Sequence, residues 1–276
     1  MSITLFAATT PGGSKSVTHT NSAAEPFRFP GGEWHLRVPT AEAPAFARVT
    51  GCDANDLVVL GLWADWVHSL GHRAVAHLPY LPAARADRGT PFGAQVYANL
   101  INTCNLDEVV VFDPHSPVAP SLINNVRIVE STAVIAERVI PSGNYEAILA
   151  PDAGAVHRAQ LVADRMGLPL FTATKSRDFD TGKLTGFHAP ENLPRLGRVL
   201  VVDDICDGGG TFMGLAKATG LHRDQLDLWV SHGIFSGRAP QLRESYGTVF
   251  TTDSHPGAAN PEVAAEIIEL APYLSA

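Results

Sequence analysis

One stretch limits the fold more than any other: Val199-Leu-Val-Val-Asp203-Asp204-Ile-Cys-Asp207-Gly208-Gly209-Gly210-Thr211. The apolar run Val199 to Val202 has the composition of a strand buried on both faces. It is expected to end at the two adjacent acids, and Asp207 with three glycines then supplies a turn. From Thr211, the apolar residues Phe212, Leu215 and Ala216 follow helical spacing. A glycine turn feeding a helix lets backbone N–H groups converge on an anion, and the helix N-terminus adds positive potential. Packing alone accounts for glycines at such a turn but not for the acids. Neighbouring carboxylates at the end of a buried strand are costly unless a cation or hydroxyl groups meet them. The stretch therefore reads as a cradle for a phosphorylated, hydroxyl-bearing ligand, with a divalent cation offsetting the repulsion between acids and phosphate.

The rest of the chain supports an α/β architecture. Apolar runs at Ile3–Ala7, Ala74–Leu78, Glu108–Phe112, Ala147–Ala150, Leu168–Ala173 and Leu226–Val230 read as strands. Helical patterns at Leu57–Leu70, capped by Asn55, and at Phe92–Cys104, Thr132–Val139 and Val156–Met166 alternate with them. Such alternation implies parallel sheets covered on both faces, with ligands at the C-terminal strand ends. Asp113 and His115, Asp152, Lys175 and Arg177, and Asp203 and Asp204 all fall at such ends. Phe27–Val38 reads as an aromatic hairpin, and Thr9–Ala24, Pro79–Pro91 and the polar Asp178–Leu193 read as loops, the last a mobile one. At coarse grain the chain divides into two similar halves, joined near Asn125 to Val129.

Composition narrows the functional classes. With 28 acidic and 20 basic residues among 276, the chain carries a net charge of -8, which argues against nucleic acid or anionic membrane as a main partner. The start lacks a signal peptide pattern and no apolar run is long enough to span a bilayer. Three cysteines, Cys52, Cys104 and Cys206, suit a reducing compartment, so a cytoplasmic protein is expected. Cys206 is read as a small packed side chain.

The central stretch resembles the phosphoribosyl-diphosphate (PRPP) motif of type I phosphoribosyltransferases and of ribose-phosphate diphosphokinases. Several further stretches resemble the second family alone. Arg28-Phe-Pro-Gly-Gly-Glu33 looks like its adenine-contacting hairpin, and Pro79–Arg88 like its ATP-phosphate loop. Val110-Val-Phe-Asp113-Pro-His115-Ser and Pro151-Asp152-Ala-Gly154-Ala-Val-His-Arg158-Ala resemble its two metal-binding strand ends. Thr174-Lys175-Ser-Arg177 resembles the start of its catalytic loop, and Ser231–Gly237 a segment near the ribose phosphate.

The resemblance implies two phosphoribosyltransferase-like domains, each a mainly parallel sheet flanked by helices. Residues 1–127 would form the ATP side and 128–262 the ribose-phosphate side, with 263–276 returning to the first domain. It implies transfer of the β,γ-diphosphoryl group of ATP to the 1-hydroxyl of a ribose phosphate, releasing AMP, with magnesium as cofactor. Phe29, Glu33, Arg85, Asp87 and Arg88 would hold ATP. His115 and Asp152 would hold magnesium, and Lys175 and Arg177 would stabilise the transferring group. Asp203, Asp204, Asp207, Gly208, Gly209, Gly210 and Thr211 would hold the ribose phosphate. A homo-oligomer, a dimer or a hexamer of dimers, is also implied.

Plain structural alternatives stand beside these roles. They are a core position for Phe29, a salt bridge to Asp87 for Arg85 or Arg88, a surface histidine for His115, a helix cap for Asp152, and a solvated charge pair for Lys175 and Arg177. Two other functions are also weighed: a phosphoribosyltransferase using PRPP and a nitrogen base, and an inactive regulatory subunit of a synthetase.

The chain departs from the family pattern at Gly31, where an aspartate is usual, at Ala86 for glutamine, and at Gly208 for threonine. The loop Thr9–Ala24 stands where a helix is usual. Loss of the Gly208 side chain leaves room beside the sugar 5-phosphate. The expected acceptor therefore extends from ribose 5-phosphate to a 5-extended analogue, ADP-ribose, with a role in NAD recovery.

Overall fold

The computed structural model describes residues 1–9, 18–177 and 184–275. The chain divides into two compact units, 1–129 and 130–276.

The first unit is built on a six-stranded sheet in the order β2-β1-β5-β6-β7-β8. Its strands are β1 (Ile3–Thr9), β2 (Thr18–Asn21), β5 (Pro44–Val49), β6 (Val75–Leu78), β7 (Glu108–Phe112) and β8 (Val126–Val129). β5 to β8 run parallel, whereas β1 lies antiparallel to both β2 and β5. Alternate residues Leu5, Ala47, Val49, Ala76, Leu78, Val109 and Val111 share a core with Leu60, Trp63 and Val67 of the helix Ala54–Ser69 and Ile101 of the helix Gly93–Thr103. The first helix is capped by Asp53, which accepts the N–H of Asn55 at 2.9 Å, rather than by Asn55 itself. Buried Asp56 takes the Ser2 hydroxyl at 2.6 Å and so pins the start of the chain. A separate hairpin pairs β3 (Glu25–Arg28) with β4 (Trp34–Arg37).

The second unit carries an all-parallel sheet in the order β10-β9-β13-β14-β15-β16. Its strands are β9 (Tyr145–Ala150), β10 (Leu170–Thr172), β13 (Arg198–Cys206), β14 (Leu226–Gly233), β15 (Val249–Thr252) and β16 (Glu266–Ile268). Burial on both faces explains the nearly unbroken apolar runs of β9 and β13. β14 is buried throughout and still carries Asp227 and His232, each with partners. Asp227 accepts from the Tyr145 hydroxyl at 2.6 Å and the Thr248 N–H at 2.8 Å, and Arg198 closes the cluster. A two-stranded ribbon joins β11 (Thr174–Arg177) to β12 (Leu184–His188).

Several elements differ from the sequence reading. Part of the expected loop Thr9–Ala24 is β2, a polar strand held by its ladder to β1; residues 10–17 lie outside the described part. Val126–Val129, read as a junction, is the edge strand β8. Leu184–His188, read as loop, is β12, while 178–183 lie outside the described residues. β13 does not end at Asp203 and Asp204 but continues to Cys206, because Ile205 and Cys206 still pair with His232 and Gly233. The tail, expected to return to the first domain, contributes β16 to the second sheet and belongs to the second unit. Val263, Ile268, Leu270 and Leu274 are buried there, and the Tyr273 hydroxyl reaches Glu137 at 3.1 Å.

Candidate active site

In the first unit, the predicted ATP-side residues fall on two groups of elements. The β3–β4 hairpin turn closes by hydrogen bonds from Phe29 N–H to Glu33 O and from Gly32 N–H to Phe29 O, both 2.9 Å. Gly32 has φ +105°, a conformation that favours glycine. The Arg28 Nε–H donates to Gly32 O at 2.6 Å. Phe29 is 41% exposed, so it is not a core residue; its ring meets Phe27 edge-on at 4.9 Å. Glu33 folds over Gly31, where a Cβ would stand 2.6 Å from Glu33 Oε2. An exposed aromatic face beside a carboxylate suits stacking and hydrogen bonding to a heterocycle.

The second group lies at the C-terminal ends of β6 and β7. Asp87 accepts from Arg88 Nε–H at 3.2 Å, and Ser116 hydrogen-bonds the same carboxylate. These bonds, the Ser116 one foremost, and the nearby His115 hold the Asp87 carboxyl below the usual carboxylate range. Asp87, Arg88, His115 and Ser116 are thus brought together by two loops. Arg85 and Arg88 are exposed. The Arg88–Asp87 pair has one fully wet member, so it contributes little to stability and leaves Arg88 able to turn to a phosphate. Ala86 packs close to Gly93, where a Cβ would stand 2.8 Å from Ala86 Cβ; a longer residue at 86 needs a different path. Asp113 is buried with φ +38°, and its N–H bonds Val129 O at 2.8 Å.

In the second unit, the predicted residues fall at the C-terminal edge of one parallel sheet. Asp152 follows β9, and its Oδ1 accepts from Gly154 N–H at 2.8 Å and Ala155 N–H at 3.2 Å. Asp152 thus closes the turn that precedes the helix Val156–Met166 and does not cap the helix itself, whose N-cap, Ala155, makes no side-chain cap bond. Lys175 and Arg177 lie on β11, opposite Phe187 and Leu184 of β12.

Asp203 and Asp204 lie inside β13, and each accepts from the next N–H: Asp204 N to Asp203 Oδ1 at 2.9 Å, Ile205 N to Asp204 Oδ1 at 2.8 Å. Arg158, on the first turn of the helix Val156–Met166, stands 3.9 Å from Asp203 and 3.7 Å from Asp204. Burial, and then the Asp204 carboxylate, push the Asp203 carboxyl well above the usual range, while Arg158 draws it back. The sequence reading required a cation for the acid pair and assigned Arg158 no role. The missed signal was a basic residue just past an Asp–Gly turn at the end of the neighbouring strand.

The loop after β13 has the form of an anion cradle. Gly209 adopts φ +75°, and the helix Gly210–Thr219 starts directly after it, presenting its first N–H groups at the turn. A Cβ at Gly209 would crowd Leu242 and Ala239 at 3.3–3.4 Å. A Cβ at Gly208 would meet only Ser236 O at 4.0 Å, and one at Gly210 nothing within 4 Å. Room for a side chain at 208 therefore exists and is unused. Asp207 is fixed by the Ser236 hydroxyl at 2.5 Å, and Asp207 O accepts the Ser236 N–H at 3.2 Å.

A parallel sheet with its acid pair and glycine cradle at one edge defines a phosphoribosyl transferase-type protein. Residues 121–218 match the family model described as "Phosphoribosyl transferase domain". A ribose-phosphate pyrophosphokinase of Saccharolobus solfataricus is 31% identical over 196 residues, covering 67% of each chain. One of Sulfurisphaera tokodaii is 26% identical over 83% of each. The crystal structure of phosphoribosylpyrophosphate synthetase from Mycobacterium smegmatis superposes with a TM-score of 0.75 at 23% identity, covering 92% of this chain and 88% of that one. The chain belongs to the ribose-phosphate pyrophosphokinase family, and is an enzyme of the diphosphotransferase class.

Proposed function

We propose that the protein transfers the β,γ-diphosphoryl group of ATP to the anomeric 1-hydroxyl of a ribose 5-phosphate, with AMP as the other product. The observation that carries the reading is the cradle Asp207–Thr211 beside an acid pair already countered by Arg158. It supports a ligand with vicinal hydroxyls at one end and a phosphate at the other. The sugar hydroxyls donate to Asp203 and Asp204, and the 5-phosphate takes N–H groups of the helix start. Phe29 and Glu33 hold adenine, and Arg85, Asp87 and Arg88 serve the ATP phosphates.

Oxygen-rich groups at the strand ends suit a hard divalent cation. In this reading His115 and Asp152 would each hold magnesium, which when bound would supply positive charge at the diphosphoryl group. Lys175 and Arg177 stabilise charge that develops during transfer.

The open space at Gly208 supports a wider acceptor, a 5-extended analogue such as ADP-ribose. AMP release from ATP, measured with ribose 5-phosphate and with ADP-ribose, each with and without magnesium, tests the whole reading. Magnesium-dependent release with a sugar acceptor is expected. Silence with both acceptors would overturn the reaction, and release with ribose 5-phosphate alone would remove the ADP-ribose extension.

A further inference from the structure

We infer that Gly214 is a positioning residue for the transfer step: it seats the ring of Phe187 on the cradle helix and so fixes where β11, with Lys175, stands relative to the cradle. This rests on the role proposed for Lys175.

Gly214 lies in the interior of the helix Gly210–Thr219, which begins at the cradle. Its backbone is ordinary right-handed helix, unlike that of Gly209, so alanine would sit there without strain and would strengthen the helix. Close approach is what requires the glycine. A Cβ at Gly214 would stand 2.5 and 2.7 Å from Cε2 and Cδ2 of Phe187. Phe187 is half-buried and packs against the core that contains Phe212, Leu215 and Ala216 of the same helix. Helical Cα–Cβ bonds tilt toward the N-terminus, so the ring covers the turn between Gly214 and Gly210, which share one face. That face is clear again at Gly210, where the cradle begins.

β11 and β12 form a sheet of their own, and a ribbon of two strands is marginal by itself, so its fastenings decide its place. At its base the Ala173 N–H donates to Ala150 O at 2.9 Å, which ties the start of β11 to the end of β9. Beyond β12 the chain returns to the core at buried Leu193. Between these two points Phe187 rests on Gly214, and Phe187 is the register partner of Lys175. Paired residues of antiparallel strands have Cα atoms about 5 Å apart, so the place of Phe187 sets that of the Lys175 backbone. Ordinary contact begins near 3.4 Å, so a methyl group at 214 moves the ring by about 1 Å. Gly214→Ala thus shifts the ribbon and leaves Asp203, Asp204 and the cradle N–H groups in place.

The test is steady-state AMP release from Mg-ATP with ribose 5-phosphate and with ADP-ribose, together with the Kd of each sugar phosphate by isothermal titration. The proteins are wild type, Gly214→Ala, Phe187→Leu and the double variant. A misplacement of about 1 Å predicts a kcat lower by on the order of a hundredfold in Gly214→Ala, with sugar-phosphate Kd unchanged. Phe187→Leu loosens the seat and should also lower kcat at unchanged Kd. The double variant should recover most of the loss, because the bulk removed at 187 offsets that added at 214. In a Lys175→Ala background, Gly214→Ala should lower kcat no further, since the group it misplaces is already gone. Unchanged kcat in both single variants would overturn the proposal. So would a matching loss of sugar-phosphate affinity, a double variant no faster than Gly214→Ala, or a full further loss in Lys175→Ala. Should Gly214→Ala fail to fold, Phe187→Leu alone and combined with Lys175→Ala decides by the same criteria. Wild-type turnover in Lys175→Ala would overturn the role of that lysine and this proposal with it. Failure of wild type to release AMP would overturn the reaction itself.

Discussion

Replacing Arg158 by methionine tests the electrostatic centre of the second unit. The substitution keeps most of the side-chain bulk and removes the charge. Arg158 stands 3.9 and 3.7 Å from Asp203 and Asp204, and the three side chains are only 11%, 15% and 7% exposed. Burial and then the Asp204 carboxylate push the Asp203 carboxyl up and Arg158 draws it back, so the guanidinium is weighed here against a single carboxylate charge. At such a distance and an effective dielectric near 20, the attraction is roughly 4 kcal/mol. Relief from burying the guanidinium returns part of it, leaving a net loss of about 3 kcal/mol, in the usual range for breaking a buried pair. For a chain of this size that is a fall in Tm of roughly 8 °C.

The sign with pH follows from linkage. Arg158 lowers the affinity of the acid pair for protons, so its stabilisation is present above the carboxylate titration and lost as pH falls through it. Thermal unfolding by circular dichroism at pH 7.5 and pH 5 should therefore show a smaller penalty at the lower pH. Adding Asp203→Asn should recover much of the loss, because the remaining carboxylate no longer faces a second acid. A penalty below about 1 kcal/mol, or one equal at both pH values, would refute the reasoning.

Other expectations concern separate parts of the molecule. His77 is buried against the Phe46 ring at 4.3 Å, and burial, then Arg48 and Arg127, lower its pKa to about 4. Because the unfolded chain binds that proton first, stability should fall by roughly 3 kcal/mol as pH drops from 6.5 towards 4, and His77→Leu should flatten that limb in urea titrations. Asp227→Asn disturbs the buried bonds to Tyr145, Thr248 and Arg198 and should cost about 3 kcal/mol in urea unfolding. Lys175→Ala should lower kcat for AMP release with little change in the Kd of Mg-ATP; a large loss of affinity at unchanged turnover would contradict its role. His115→Ala and Asp152→Ala should each raise the magnesium concentration needed for half-maximal rate, and an unchanged requirement would remove that residue from the metal assignment.

Much of this was legible where a segment's own residues decide its fate. The apolar runs of β7, β9 and β14, and the helical period of Val156–Met166, mark their elements from composition alone. The hairpin and the glycine cradle are legible because turns need particular residues at particular places. Edge elements were not. Thr-His-Thr-Asn of β2 has no apolar alternation and is a strand only because β1 offers a ladder, and β8 and β16 are likewise made by their neighbours. β5 was missed although Phe46 to Val49 alternate, since Pro44 obscures its start. The end of β13 was misplaced for the same kind of reason: acids look like a terminus, but pairing with β14 carries the strand through them. Arg158 and Ser236 meet the cradle's acids only through tertiary packing, so spacing along the chain could not assign them.

The carboxylates of β13 have a thermodynamic consequence. Each is hooked to the following backbone N–H, so little rotamer freedom remains to be lost when a sugar arrives. Burial and the neighbouring Asp204 both act against charge on Asp203, so the fold itself bears the cost of the pair. Any cation or polyol that met these carboxylates would offset part of that cost, and binding would then raise the stability of the fold by mass action.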